Sequence, residues 1–263
     1  MTSTQGAIEQ ISGLQPAAFV LVLARLTPLF ILAPLFSAGT IPRRVKGLVA
    51  VALAVGIAPI ALAGQNAPTD PVLLVELLAK ELVIGCAFAF ALACVLAGFQ
   101  AVGGILDIQI GFAFGAQLDP MTGTQGAVLG KLYGLVGVAI LVAMNGDALI
   151  ISGLARTYEL VPLTAFPRLD AMVSGVFDAF ANVLIAALQV GAPVLLTLFL
   201  TDAAFAMVSR VVPQMNVFAV GFPAKVVVGM LMIVVTLPFA AGWFGDRLTG
   251  SVASALQTLK VAG

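Results

Sequence analysis

Residues 19–54 read FVLVLARLTPLFILAPLFSAGTIPRRVKGLVAVALA, two apolar runs joined by a short basic hinge. The first run extends from Ala17 to Phe36 and is interrupted only by Arg25, Pro28 and Pro34. That matches the ~20 residues a helix needs to cross hydrocarbon. The second, Leu48 to Ala63, is short and uncharged. Arg43, Arg44 and Lys46 crowd the hinge with no acid nearby. Cytoplasmic connections carry an excess of such cations, so the three side chains are expected to form a cytoplasmic anchor. The stretch therefore predicts a helical hairpin in a membrane.

Outward from it the pattern recurs. Apolar segments follow at Leu82–Leu106, Gly126–Met144, Ala179–Thr201 and Val211–Gly245. Breaks fall at Ala38–Gly47, Gly64–Pro71, Asp107–Gly123 and Asn145–Asp178, the last expected to be the most aqueous part of the chain. Composition agrees: 61% of the 263 residues are hydrophobic and 9% charged, with mean hydropathy +1.15. Soluble domains carry about 25% charged residues. The fold class predicted is an all-α membrane protein, with about six apolar helices arranged as hairpins in one domain spanning 1–263. The sequence MTSTQGAIEQ lacks a basic region before the first apolar run, so that run is expected to be retained.

Charge excludes some partners and complicates topology. Lys plus Arg equals Asp plus Glu, 12 each, which provides no basic surface for nucleic acid. Beyond the first hinge the cation bias fades: the connection after the third span holds Asp107 and Asp119 and no base. Either the first loop dominates orientation, or some apolar helices are buried in protein instead of lipid. Charges inside the apolar segments favour the second reading.

Catalytic signatures are missing. The chain has no histidine, the commonest general base and metal ligand. There is no GxSxG, P-loop or cysteine cluster, and Asp147 and Asp246 follow glycine outside any GxGD context. Cys86 and Cys94, eight residues apart on one helix, would stand about 12 Å apart along the axis, too far for a disulfide. They are expected to be small buried apolar groups. No enzyme activity, metal or cofactor is expected.

Three features could carry function. Arg25, Lys131, Asp202 and Lys225 lie inside apolar segments, with Lys80–Glu81 at an edge. Such residues form ion pathways or pair with one another or with partner subunits, and the scarcity of acids favours pairing. Gly85, Ala89, Ala93 and Ala97, and again Gly126, Gly130 and Gly134, recur every four residues, a spacing that lets helices approach closely in lipid. Finally, Gly103–Gly123 reads GGILDIQIGFAFGAQLDPMTG. Its five glycines and Asp119–Pro120 argue against continued helix, and from Ile108 to Phe114 large apolar residues alternate with Gln, Gly and Ala. Irregular backbone at membrane depth must be covered by protein or line a cavity. A gate, a plug or a structural re-entrant turn all fit.

Phe19–Ala54, Gly98–Gly123 (GFQAVGGILDIQIGFAFGAQLDPMTG) and Ala192–Val226 (APVLLTLFLTDAAFAMVSRVVPQMNVFAVGFPAKV), with the spans between them, resemble the FliR family of flagellar biosynthetic proteins. These are export-gate subunits of type III secretion systems. The resemblance covers nearly the whole chain. Its most specific part is Arg210, Pro213, Gln214, Asn216 and Phe218; the next is the Asp119–Pro120 step. The resemblance implies a hetero-oligomeric helical export gate with FliP- and FliQ-like subunits and an associated FlhB-like subunit, in the flagellar basal body of the bacterial inner membrane. It implies a FliP-like part over about 1–145 and a FliQ-like part over about 146–263. Unfolded export substrates would pass through the pore. It also implies that the segment near Leu106–Thr122 plugs the pore, with Ile110, Gly111, Phe112, Phe114 and Gly115 at its centre and the two phenylalanines as apolar blockers. Injectisomes carry an equivalent subunit, and from the residues alone an ion-coupled small-solute carrier using Arg25, Asp202 and Lys225 is a different class of answer.

Overall fold

The computed structural model describes residues 16–37, 39, 41–62, 70–112, 128–214 and 216–262. These residues form seven α-helices and no strand: α1 (Pro16–Leu32), α2 (Arg43–Ala61), α3 (Pro71–Ile110), α4 (Val128–Ala143), α5 (Gly146–Leu160), α6 (Leu169–Val211) and α7 (Val217–Ala262). Each of the six apolar segments read from the sequence contributes to a helix. By length and composition α2, α3, α6 and α7 can each cross a membrane, and α4 with α5 passes the same test only if the two, separated by a break at Asn145, are counted as one span. Asn145 has φ 52°, the left-handed conformation that asparagine tolerates where a helix ends. α1 is apolar but has only 17 residues.

Three helices are much longer than the apolar segments that announced them. α3, α6 and α7 have 40, 43 and 46 residues. At 1.5 Å per residue these are about 60–70 Å of helix, twice the ~30 Å of hydrocarbon. Starts follow local chemistry. Asp70 Oδ1 accepts the Val72 N–H at 3.0 Å and Pro71 opens α3 without needing a donor.

Three expectations are corrected. The supposed aqueous break at 145–178 contains α5 and the beginning of α6; Ile150, Leu154, Thr157 and Tyr158 are buried there. The glycine-rich stretch does not stop the third helix at Leu106, since α3 continues through Gly103–Gly104 to Ile110. A Cβ on Gly103 would overlap the Leu129 backbone, so glycine serves close packing there and not a break. Cys86 is exposed, whereas Cys94 is buried.

The chain forms two compact units. The first comprises Met1–Ala93, Asn145–Phe180 and Leu248–Gly263. In it α1 packs along α2, which also touches α5, and Ile84, Val161, Met172 and Leu259 form an apolar cluster. Gly85 lies so close to the α1 backbone that a Cβ would overlap the Arg25 carbonyl. The second comprises Cys94–Met144 and Ala181–Arg247. Its centre is aromatic: Phe99 meets Tyr133 at 5.2 Å and Phe244 at 5.0 Å between ring centroids. Leu96 and Phe99 cover the bare face of Gly137.

Candidate functional site

In the first unit the intramembrane charge Arg25 is completely buried, as is Glu81. The guanidinium donates to both Glu81 carboxylate oxygens, through Nε to Oε2 and through Nη2 to Oε1 at 2.9 Å. It also donates to Thr157 Oγ1 at 3.0 Å and to the Val161 carbonyl at 3.0 Å. The Tyr158 ring lies 4.0 Å from the guanidinium carbon. Lys80 sits against Glu81 Oε1 at 2.8 Å and donates to the carbonyls of Leu163 (2.6 Å), Ala165 (3.0 Å) and Pro162 (3.2 Å). Two cations thus face one carboxylate. Four backbone carbonyls, from 161, 162, 163 and 165, turn their negative ends inward and offset the extra positive charge. A buried bidentate pair holds its elements in one register, because breaking it would strand a charge in apolar surroundings. Lys80–Glu81, at an edge of the third apolar segment in the sequence, is thus buried within the first unit.

The second unit has its own pair. Lys225 Nζ on α7 meets Asp202 Oδ1 on α6 at 2.9 Å and Oδ2 at 3.1 Å. Gln109 Nε2, near the end of α3, donates to the same Oδ2 at 3.1 Å. One carboxylate therefore ties three helices. Lys131, the fourth charge singled out from sequence, is exposed on α4. Arg43 and Arg44 are exposed and Lys46 half-buried at the start of α2.

Of the segment expected to act as a plug, Ile110 ends α3 and is 1% exposed. Gly111 follows with φ 104°, a backbone region costly for any residue with a Cβ. Phe112 is half-buried. Phe114, Gly115, Asp119 and Pro120 lie outside the described residues. The base of this segment is held by a residue that sequence reasoning left in a loop: Asp107, 2% exposed. Its carboxylate accepts the Leu129 N–H at 2.9 and 3.1 Å and the Gly130 N–H at 3.3 Å. A carboxylate at a helix N-terminus satisfies orphan donors and is stabilised by the helix dipole. An acid where the third apolar segment ends and a new apolar run some twenty residues later were the signal available.

The Arg210–Phe218 motif is a helix-to-helix turn. α6 ends at Val211, before Pro213, which lacks the donor a helix would need. Asn216 then caps α7, its Oδ1 accepting the Ala219 N–H at 3.2 Å. Arg210 lies in the last turn of α6, where a cation suits the helix dipole. Arg210, Pro213, Gln214 and Asn216 are exposed, and Phe218 is in the first turn of α7.

One face of α6 is bare. Ile185, Leu188, Ala192, Leu196, Phe199, Ala203, Met207 and Val211 succeed one another at steps of three or four residues, and each is exposed. Leu196 and Phe199 are 63% and 59% exposed, and Val211 81%. The stripe runs for about 39 Å along the helix, beyond the ~30 Å that hydrocarbon covers. Among the described residues no group of His, Cys, Asp or Glu could hold a metal.

Comparisons with known proteins point to one family. The family described as Bacterial export proteins, family 1 matches residues 17–250. Flagellar biosynthetic protein FliR of Bacillus subtilis (strain 168) is 31% identical over 228 residues, 84% of this chain and 86% of that protein. FliR of Escherichia coli (strain K12) is 25% identical, covering 83% and 84%. Surface presentation of antigens protein SpaR of Shigella sonnei is 27% identical, covering 81% and 82%. With 234 of 263 residues matched, the chain belongs to the bacterial export proteins, family 1.

Proposed function

We propose that this chain is a core subunit of the flagellar type III protein export gate in the bacterial inner membrane, and that it has no catalytic activity. The observation that carries the reading is the bare α6 stripe. Apolar surface longer than the bilayer is thick faces lipid throughout only on a steeply tilted helix, and any part left in water would aggregate. It needs other polypeptides to cover it, and FliP- and FliQ-like subunits with an FlhB-like associate are the partners the family resemblance offers. The part to about residue 145 takes the FliP-like place and the remainder the FliQ-like place. Unfolded export substrates pass through the shared pore.

Within that pore the segment Ile110–Gly115 acts as the plug, its large apolar side chains excluding water and ions. Glycine at 111 supplies the positive φ that directly follows α3. The buried Arg25–Glu81 pair and the part-exposed Asp202–Lys225 pair both serve packing: each charge has an internal partner, which suits a role in holding helices better than a proton relay. The test is to delete Ile110–Gly115 in the assembled complex and measure ion leakage. The expected result is a leaky membrane, and unchanged conductance overturns the plug assignment. The SpaR relative supports a second reading, the equivalent subunit of a virulence injectisome. Flagellar genes beside this one support the first reading; a needle-subunit gene and effectors support the second.

A further inference from the structure

We infer that Asp202 is a positioning residue for the gate: with Lys225 it holds Gln109, and so fixes the last turn of α3, next to the positive-φ residue Gly111. The inference rests on the plug reading just given and concerns only what grips its root.

Two independent contacts seize the last turn of α3. One is polar. Asp202 receives Gln109 Nε2 at 3.1 Å and Lys225 Nζ at 2.9 and 3.1 Å, so the carboxylate is shared between a neutral donor on α3 and a cation on α7. The Asp202 side chain is 42% exposed and that of Lys225 20%. The pair is accessible enough to open and is tied to its place mainly by these bonds. The other contact is apolar. Ile110 fits a notch made by the missing side chain of Gly229: a Cβ there would stand 2.6 Å from Ile110 Cδ1, 2.9 Å from its Cγ1 and 3.4 Å from Leu198 Cδ2. One residue further, a Cβ on Gly111 would stand 3.1 Å from the Phe222 ring. Residues 109, 110 and 111 thus each meet a different feature of α6 or α7.

Chemistry separates this clamp from the Arg25–Glu81 knot. The knot is fully buried and bidentate, suited to staying shut. The clamp is half-exposed and includes one neutral hydrogen bond, so its release costs far less. A part that must yield during export is expected to be held this way.

The experiment uses the full export complex in vesicles loaded with potassium. Asp202→Ala and Gln109→Ala each free the end of α3, and a rise of about tenfold in potassium efflux is expected. Exchanging the charges, Asp202→Lys with Lys225→Asp, is expected to restore the seal, because the Gln109 amide can turn and offer its oxygen to the new cation. Direct geometry is read by Ile110→Cys with Gly229→Cys in a chain where Cys86 and Cys94 are alanine. The side chains are near enough for a disulfide; its formation should stop export, and reduction should restore it. Asp202→Ala should then lower the yield of that disulfide. If the Ile110–Gly115 deletion leaks but Asp202→Ala and Gln109→Ala stay tight, the clamp is overturned and the plug stands. If the deletion itself does not leak, the plug reading falls and takes the clamp's gating role with it. Export that continues through the formed disulfide also overturns the proposal.

Discussion

Replacing Glu81 by glutamine removes one charge and changes almost no volume, so its effect isolates the electrostatics of the buried knot. Wild-type Glu81 accepts from Arg25 through both carboxylate oxygens and also faces the Lys80 ammonium. Glutamine offers a single acceptor oxygen and turns an NH2 toward groups that are themselves donors. Arg25 and Lys80 would then confront each other with no anion between them. Losing one partner of a buried ion pair costs about 3–5 kcal/mol. For a chain of this size that corresponds to a fall of about 10 °C in Tm. Thermal unfolding of the detergent-solubilised complex, followed by circular dichroism, measures it. Adding Arg25→Met to Glu81→Gln should recover part of the loss, because the stranded guanidinium is gone. A change below about 1 °C in Glu81→Gln, or no recovery in the double variant, would refute the reasoning.

Asp107→Ala leaves the Leu129 and Gly130 N–H groups without their buried acceptor; a loss of about 2 kcal/mol is expected in the same melting assay. Gly85→Val should abolish recovery of folded protein, since its Cβ overlaps the Arg25 backbone. Gly56→Ala, where a Cβ meets nothing within 4 Å, should be recovered in normal yield. Asn216→Ala removes the α7 cap and should cost about 1 kcal/mol, with hydrogen exchange faster at Ala219 and little changed at Phe244.

Helical class and the six apolar stretches were legible in sequence because hydrophobic length is a one-dimensional property. The partnerships were not. Thr157 and Tyr158 look like solvated residues in RTYELVPL, yet they complete the shell of Arg25, 132 and 133 positions earlier. Polar residues recruited to satisfy a distant buried charge carry no local mark, which is why 145–178 read as aqueous. Lys80 and Glu81 sat too near a segment boundary to be recognised as interior. Gly103 has the opposite problem, since glycine signals both a broken helix and a close helix contact, and only the facing Leu129 backbone decides. Of the site, the Asp202–Lys225 charges were found but not their bond to Gln109. The Asn216 cap was visible as a motif without its mechanism.

The most direct measurement places a photo-reactive amino acid at Phe199, in the middle of the bare α6 stripe, with the neighbouring export genes co-expressed. A cross-linked product with the combined mass of this chain and a FliP- or FliQ-like subunit is predicted. Adducts to lipid alone, from a chain that purifies as a stable monomer, would contradict the account.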